Sequence, residues 1–296
     1  MSSIYGWIVR TAAIEGLIAF AVLLVWAFES RQMPALGIWH TLSLTGEFTT
    51  RSATAQGTLQ DYLDQEERLF RELRVNIYDR LAPTAATTFS RYRANGLQDP
   101  QQLPRNWNRT FGLVPEKIQG GAPLLHGLTD SPYSLRCIGE ILYAKGHYVL
   151  GLRLPGHGTI PGDLTEVDWK DWVAASRVGA RHVRERIGPD KPFDIAGYSN
   201  GGALAVKYGL DALSDPGLPP PDRVLLFSPE IGITPFSAIA SSHKLLGFIS
   251  YFAQFKWLSI QPEYDPFKYN SFPKDAGQQA YEITTALKRQ LEAVSY

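Results

Sequence analysis

The sequence predicts an α/β fold built on a mostly parallel sheet with helices on both faces. Three observations carry that reading. Short strand-like runs alternate with helical segments from Ala122 onward. The runs are almost continuously apolar, as strands covered on both faces must be. Glycines stop the helical segments that separate them, at Gly146 and Gly188.

The elements follow in order. Residues 1–31 form an N-terminal apolar segment: Gly16 to Phe28 carries no charge, and Trp7 and Trp26 sit near its two ends, where a bilayer favours aromatics. With Ile4 to Trp7 included it is long enough to cross a bilayer of roughly 30 Å. Three readings stand: a signal anchor, which is favoured; a cleaved signal peptide, although no small-x-small site follows Trp26; and a docking helix of the body. Arg10 precedes the span, and Glu29 and Arg31 follow it. That charge order places the N-terminus inside and the bulk outside. The expected location is therefore a single-pass anchor in a bacterial inner membrane, with the rest of the chain on the periplasmic side. Glu15 lies near enough to one end to reach the interface or pair with Arg10.

Residues 32–105 read as a connector with one amphipathic helix, between Asp61 and Leu81, and an irregular stretch carrying Pro83, Pro100 and Pro104. Residues 106–230 hold the alternating core. Ala122 to Leu125 is a strand ending in His126-Gly127, and Ser134 to Lys145 a helix. His147 to Leu154 is a strand, and Trp169 to Ile187 a helix. Phe193 to Gly197 is a strand, Gly201 to Leu210 a small-residue helix and Arg223 to Phe227 a strand. Residues 231–296 read as a cap region with Phe236, Leu245 to Phe255, Trp257, Tyr264 and Phe267, then a final amphipathic helix over Tyr281 to Val294.

Composition narrows the function classes. Lys+Arg and Asp+Glu each total 29 in 296 residues, so no basic footprint points to nucleic acid. The one cysteine, Cys137, excludes a disulfide framework within the chain and a cysteine-based zinc site. No cofactor or metal is expected: neither G-x-G-x-x-G nor G-x-x-x-x-G-K occurs.

The informative segment is Phe193-Asp-Ile-Ala-Gly-Tyr-Ser199-Asn-Gly-Gly-Ala-Leu-Ala205. It reads as strand, sharp turn and helix, which lifts Ser199 above the sheet as a nucleophile. A side chain at Gly197 or Gly201 would collide across the turn, and Gly202 lets the helix pack closely. The helix begins at the serine, so its N-terminus faces an oxyanion formed there. The loop after the Ala122 strand supplies the second donor in sites of this kind. The backbone N–H groups of Leu128 and Asn200 are the expected oxyanion hole. His126 is expected to tie its loop rather than to catalyse.

His126-Gly-Leu-Thr-Asp-Ser-Pro-Tyr-Ser, Leu154-Pro-Gly-His-Gly158, Asp168-Trp-Lys-Asp-Trp172 and Gly197-Tyr-Ser-Asn-Gly-Gly202 together resemble the α/β-hydrolase superfamily. The resemblance is to the branch with monoacylglycerol lipases, carboxylesterases and serine-aminopeptidase-like hydrolases, and covers about residues 106 to 296. It implies an eight-stranded, mostly parallel sheet, a cap inserted after the sixth strand, and ester hydrolysis through an acyl-enzyme. In the family, Pro155 to Gly158 forms a loop near the pocket, where His157 is structural. Trp169 and Trp172 are packing residues.

The mechanism also needs a histidine and an acid, in the chain order Ser, Asp or Glu, His. Of six histidines only His243 follows Ser199, and it sits in a cap-like apolar stretch. The chain therefore reads as ending before the seventh and eighth strands. It is either a truncated hydrolase, a non-catalytic derivative, or an enzyme with a replacement set drawn from His243, Asp265 and Glu230. The expected activity is a serine hydrolase acting on carboxylic, lipid-like acyl esters. The alternative is a non-catalytic membrane-associated protein on the same scaffold. The partners implied are an acyl ester and, through the N-terminal helix, a membrane; oligomeric state is not legible.

Overall fold

The computed structural model describes residues 2–51, 57–82, 84, 87–232 and 250–294. Helix α1 (Ser2–Ser30) precedes a short α2 (Ile38–Thr41) and α3 (Leu59–Asn76). The core runs β1 (Phe111–Leu113), β2 (Gly120–Leu125), α4 (Arg136–Ala144), β3 (His147–Leu152), α5 (Trp169–Ile187), β4 (Asp194–Tyr198), α6 (Asn200–Ala212) and β5 (Arg223–Phe227). A two-stranded ribbon, β6 (Trp257–Ser259) and β7 (Phe272–Pro273), leads into α7 (Lys274–Val294).

The main sheet has the order β1-β3-β2-β4-β5. Strands β2 to β5 are parallel, and β1 runs antiparallel against β3. Both faces are covered, as the apolar runs require. Ala122, Leu124, Val149 and Ala196 pack on the α4 side. Leu125, Leu150, Leu152 and Ile195 point the other way, into the core with Trp172, Val183 and Leu204. Gly139 of α4 faces Leu124 and Val149, while Gly179 of α5 faces Leu150 and Leu152. Strand β5 closes the order at one edge, with Val224 and Leu226 partly exposed.

The sequence elements and the structure agree closely from β2 to β5. Three differences have physical reasons. Strand β1 escapes the pattern because it is three residues long and pairs with a distant partner, Phe111 opposite Gly151. Helix α7 begins at Lys274, seven residues before the stripe read from the sequence, because Ala276 and Ala280 are buried in the core. The resemblance implies eight strands, whereas the described residues form five in the main sheet. Phe236, His243 and residues 245–249 of the expected cap lie outside the described residues.

The connector is bound to the core by buried charge. Arg153, 1% exposed, leaves the end of β3 and meets Glu66 of α3 at 3.2 Å and Glu47 at 2.8 Å. Its Nη1 also donates to the His157 carbonyl at 3.0 Å. Glu47 accepts from the Gly156 amide, and Glu66 from Thr110. Burial pushes the Glu47 carboxyl up, but the Arg153 charge and the hydrogen bonds outweigh it and hold the group below its usual range. At Glu66 burial wins, and the carboxyl sits higher than usual.

Candidate active site

Ser199 stands between β4 and α6 with φ 54° and ψ −119°. A serine takes this left-handed backbone only under constraint. The constraint is visible: the Ser199 N–H donates to Phe227 O, and Ser199 O accepts from Gly202, Ala203 and Glu230 N–H groups at 2.9, 3.3 and 3.0 Å. No side chain fits beside it. A Cβ on Gly197 would overlap the Gly201 carbonyl, and one on Gly201 the Leu125 carbonyl. A Cβ on Gly202 would meet Pro229 at 2.7 Å. The three glycines bring the turn, the neighbouring strand and the Pro229 loop into contact.

The loop after β2 turns sharply at Thr129, whose φ is 66°. Leu128 is half-buried there, and Asn200 is buried at the start of α6. Among the described residues, neither backbone N–H donates to a turn or loop carbonyl. Both side-chain amide atoms of Asn200 and one oxygen of Glu230 are buried without a hydrogen-bond partner. Burial raises the Glu230 carboxyl.

Of the described histidines, His126, His40 and His182 bond other groups through their ring nitrogens. His126 is buried; its Nε2 accepts from Leu154 N at 3.0 Å, and its Nδ1 lies 2.9 Å from Gly127 O. Burial, then the charge of His157, drives it well below its usual range. His157 stacks edge-on against it and is lowered to about 4 by burial. His40 bonds Ser271, His182 bonds Tyr148, and His147 faces Asp194. His126 ties the loop after β2 to Leu154, His157 Nδ1 lies 2.9 Å from Pro155 O within its own loop, and Trp172 is buried with its indole donating to Pro155 O. His243 lies outside the described residues. Asp265 accepts from the amides of Phe267 and Lys268, which caps its own turn.

A cavity of about 430 Å³ opens beside the strand ends, lined by Tyr133, Leu135, Ile138, Tyr198, Phe227 and Phe267, with Asp130, Asp265 and Lys268 among its polar groups. Tyr133 and Phe267 stack with centroids 4.0 Å apart. Lys268 Nζ is 3.7 Å from Asp130, whose carboxyl is raised, chiefly by burial. Residues 263–271 strap this rim: Tyr269 N donates to Thr129 O, Asn108 donates to Pro266 O, and the Tyr269 hydroxyl donates to Gly156 O. Sequence reasoning missed Asp130 and Lys268; the only local signal for Asp130 was its place three residues after Gly127. Among the described residues, no cluster of His, Cys, Asp or Glu could hold a metal ion.

The model of the alpha/beta hydrolase family matches residues 124–293, more than half of the chain. The chain belongs to this family. This family member is 37% identical over 87 residues to a thermostable monoacylglycerol lipase of Bacillus sp. (strain H-257), covering 29% of its own length. It spans about a third (33%) of that curated relative. Among solved structures it is similar to one of the metagenome-derived lipolytic enzymes LipS and LipT, with TM-score 0.51 and 21% identity over 64% of this chain and 72% of that one. A Paleococcus ferrophilus monoacylglycerol lipase matches with TM-score 0.44 and 18% identity, over 61% and 71% of the two chains.

Proposed function

We propose that the protein is a membrane-anchored serine hydrolase of carboxylic esters with a lipid-like acyl group. The observation that carries the reading is Ser199, held at φ 54° at the head of α6 in a turn that leaves no room for a Cβ on Gly197, Gly201 or Gly202. The Ser199 hydroxyl adds to the ester carbonyl carbon while its proton passes to a base. The oxyanion accepts from the Leu128 and Asn200 N–H groups, each such donor being worth roughly 3 kcal/mol in the transition state. Collapse breaks the ester C–O bond as the base passes the proton to the leaving oxygen, so the neutral alcohol departs; water then opens the acyl-enzyme to the carboxylic acid and the Ser199 hydroxyl regains its proton. His243 is the one histidine after Ser199, and Glu230 is a carboxylate beside that turn, its N–H donating to Ser199 O at 3.0 Å.

The apolar walls of the cavity, from Leu135 to Phe267, suit an aliphatic acyl chain. The similarity to a monoacylglycerol lipase supports the same class. Helix α1 supports the anchor: Tyr5–Ser30 is long and apolar enough to cross a membrane, with mean hydropathy 2.1. A second reading, a non-catalytic protein on this scaffold, is favoured by His126, His40 and His182, whose ring nitrogens meet Leu154 N, Ser271 and Tyr148. A fluorophosphonate probe separates the two. Labelling lost in Ser199→Ala supports the enzyme. Labelling that survives the substitution removes Ser199 as the nucleophile, and no labelling of the folded chain favours the second reading.

A further inference from the structure

Two independent contacts decide which end of the hydrolase body meets the anchor. The first is direct packing. Ala27, fully buried, and Leu23 and Leu24 pack on Phe255, which is 1% exposed. Phe255 belongs to the 3-10 turn Ser250–Lys256 just before β6, and Lys274 Nζ lies 3.6 Å from its ring centroid. The second is the tether. Only residues 31–37 separate α1 from α2, at most about 28 Å when fully extended. The hydrogen bonds of Arg31, Gln32 and Met33 to the end of α1 shorten it further. Helix α2 is itself docked: a Cβ on Gly162 would meet Trp39 O at 3.0 Å, His40 bonds Ser271 at 2.8 Å, and the His40 and Trp257 rings are 4.8 Å apart.

Both attachment points belong to one end of the sheet. Gly162 lies in the loop that leaves the carboxyl end of β3, and Ser271 belongs to the 263–271 strap over the rim of the cavity. Ser199 follows β4 at that same end. The opposite end carries Leu213, just past the far end of α6, and Val114, after the antiparallel β1.

The level of the bilayer follows from α1 itself. Trp7 and Trp26, nineteen residues apart, stand about 28 Å apart along a helix, close to the hydrocarbon thickness. Ala27, the next residue after Trp26, already touches Phe255. The turn at 250–256 and the exposed Leu258 beside it, 58% exposed, therefore stand at the headgroup layer.

We propose that the carboxyl end of the sheet, with Ser199 and the cavity rim, faces a lipid surface, the 250–258 segment lying in the headgroup layer. The ester substrate is then one resident in the bilayer, taken up without crossing bulk water. This rests on the reading of α1 as membrane-spanning.

The test uses the full chain in phosphatidylcholine liposomes, with Cys137→Ser removing the native thiol. A polarity-sensitive fluorophore is attached at Leu258→Cys, with Tyr264→Cys as a second reporter, and at Leu213→Cys and Val114→Cys at the far end. All four positions are exposed. Lipids carrying a nitroxide at the headgroup quench the Leu258 label at least threefold more than the Leu213 and Val114 labels if the inference holds. Equal or reversed quenching in chains that float with the liposomes overturns it and leaves the anchor standing. Chains that do not float overturn the anchor, and the inference with it. If Leu258→Cys does not fold, the Tyr264 label decides.

Discussion

Replacing Arg153 with methionine removes one guanidinium that answers two carboxylates. Arg153 makes bonds of 3.2 Å to Glu66, 3.0 and 2.8 Å to Glu47, and 3.0 Å to the His157 carbonyl. The substitution keeps the packing volume and leaves Glu66, 4% exposed, without its counter-charge. Breaking a buried pair in this way costs about 3–5 kcal/mol, because the remaining charge is unpaired. For a chain of this size that is a fall in Tm of about 6–10 °C. Circular dichroism of the full chain in detergent at pH 7 reads it. Arg153→Met combined with Glu47→Gln and Glu66→Gln has no stranded charge and recovers at least half of the loss. A single variant within about 1 kcal/mol of the parent, or a triple variant no better than the single, refutes the claim that these charges hold the connector to the core.

Three further outcomes are expected. Gly201→Ala places a methyl on the Leu125 carbonyl and 2.5 Å from the His126 carbonyl, so it costs at least about 3 kcal/mol or abolishes folding; normal urea unfolding would contradict the geometry. Burial lowers His157 and His40 to about 4, so their neutral forms favour the fold above the unfolded value of 6.5. That stability is lost as pH falls from 6.5 to 4, by up to about 3 kcal/mol per group, and a Tm flat across that window argues against it. Burial raises Asp163 to about 8, which favours the fold below the unfolded value of 3.8 and is lost as pH rises to 8. Asp163→Asn keeps the acceptor for Leu44 N and gains on the parent by roughly 1 kcal/mol per unit from pH 6 to 8; a constant difference sinks the assignment.

The core from β2 to β5 was legible because strands β2 to β4 are buried on both faces, β5 keeps the same apolar run at the edge, and each helix stops at a glycine or a polar turn. The sharp turn at Ser199, with its three glycines, was legible because one short segment carries the whole backbone demand. The Arg153 cluster was not. Its partners stand 87 and 106 residues away along the chain, and only the oddity of a charge after five buried strand residues hinted at it. The cavity rim was equally hidden. Phe267 reads as an apolar cap residue until Tyr269 N binds Thr129 O and brings the 263–271 strap onto the loop after β2. Nothing local in either segment encodes that meeting.

The backbone of Ser199 has a consequence for how this chain responds to selection. Its left-handed φ costs of order 1–3 kcal/mol for a side-chain-bearing residue, and glycine relieves it. A library of variants sorted only for thermal resistance should therefore enrich glycine at position 199. One sorted for turnover should keep serine. The ratio of the two residues after parallel sorting measures how strongly chemistry, rather than folding, maintains this position.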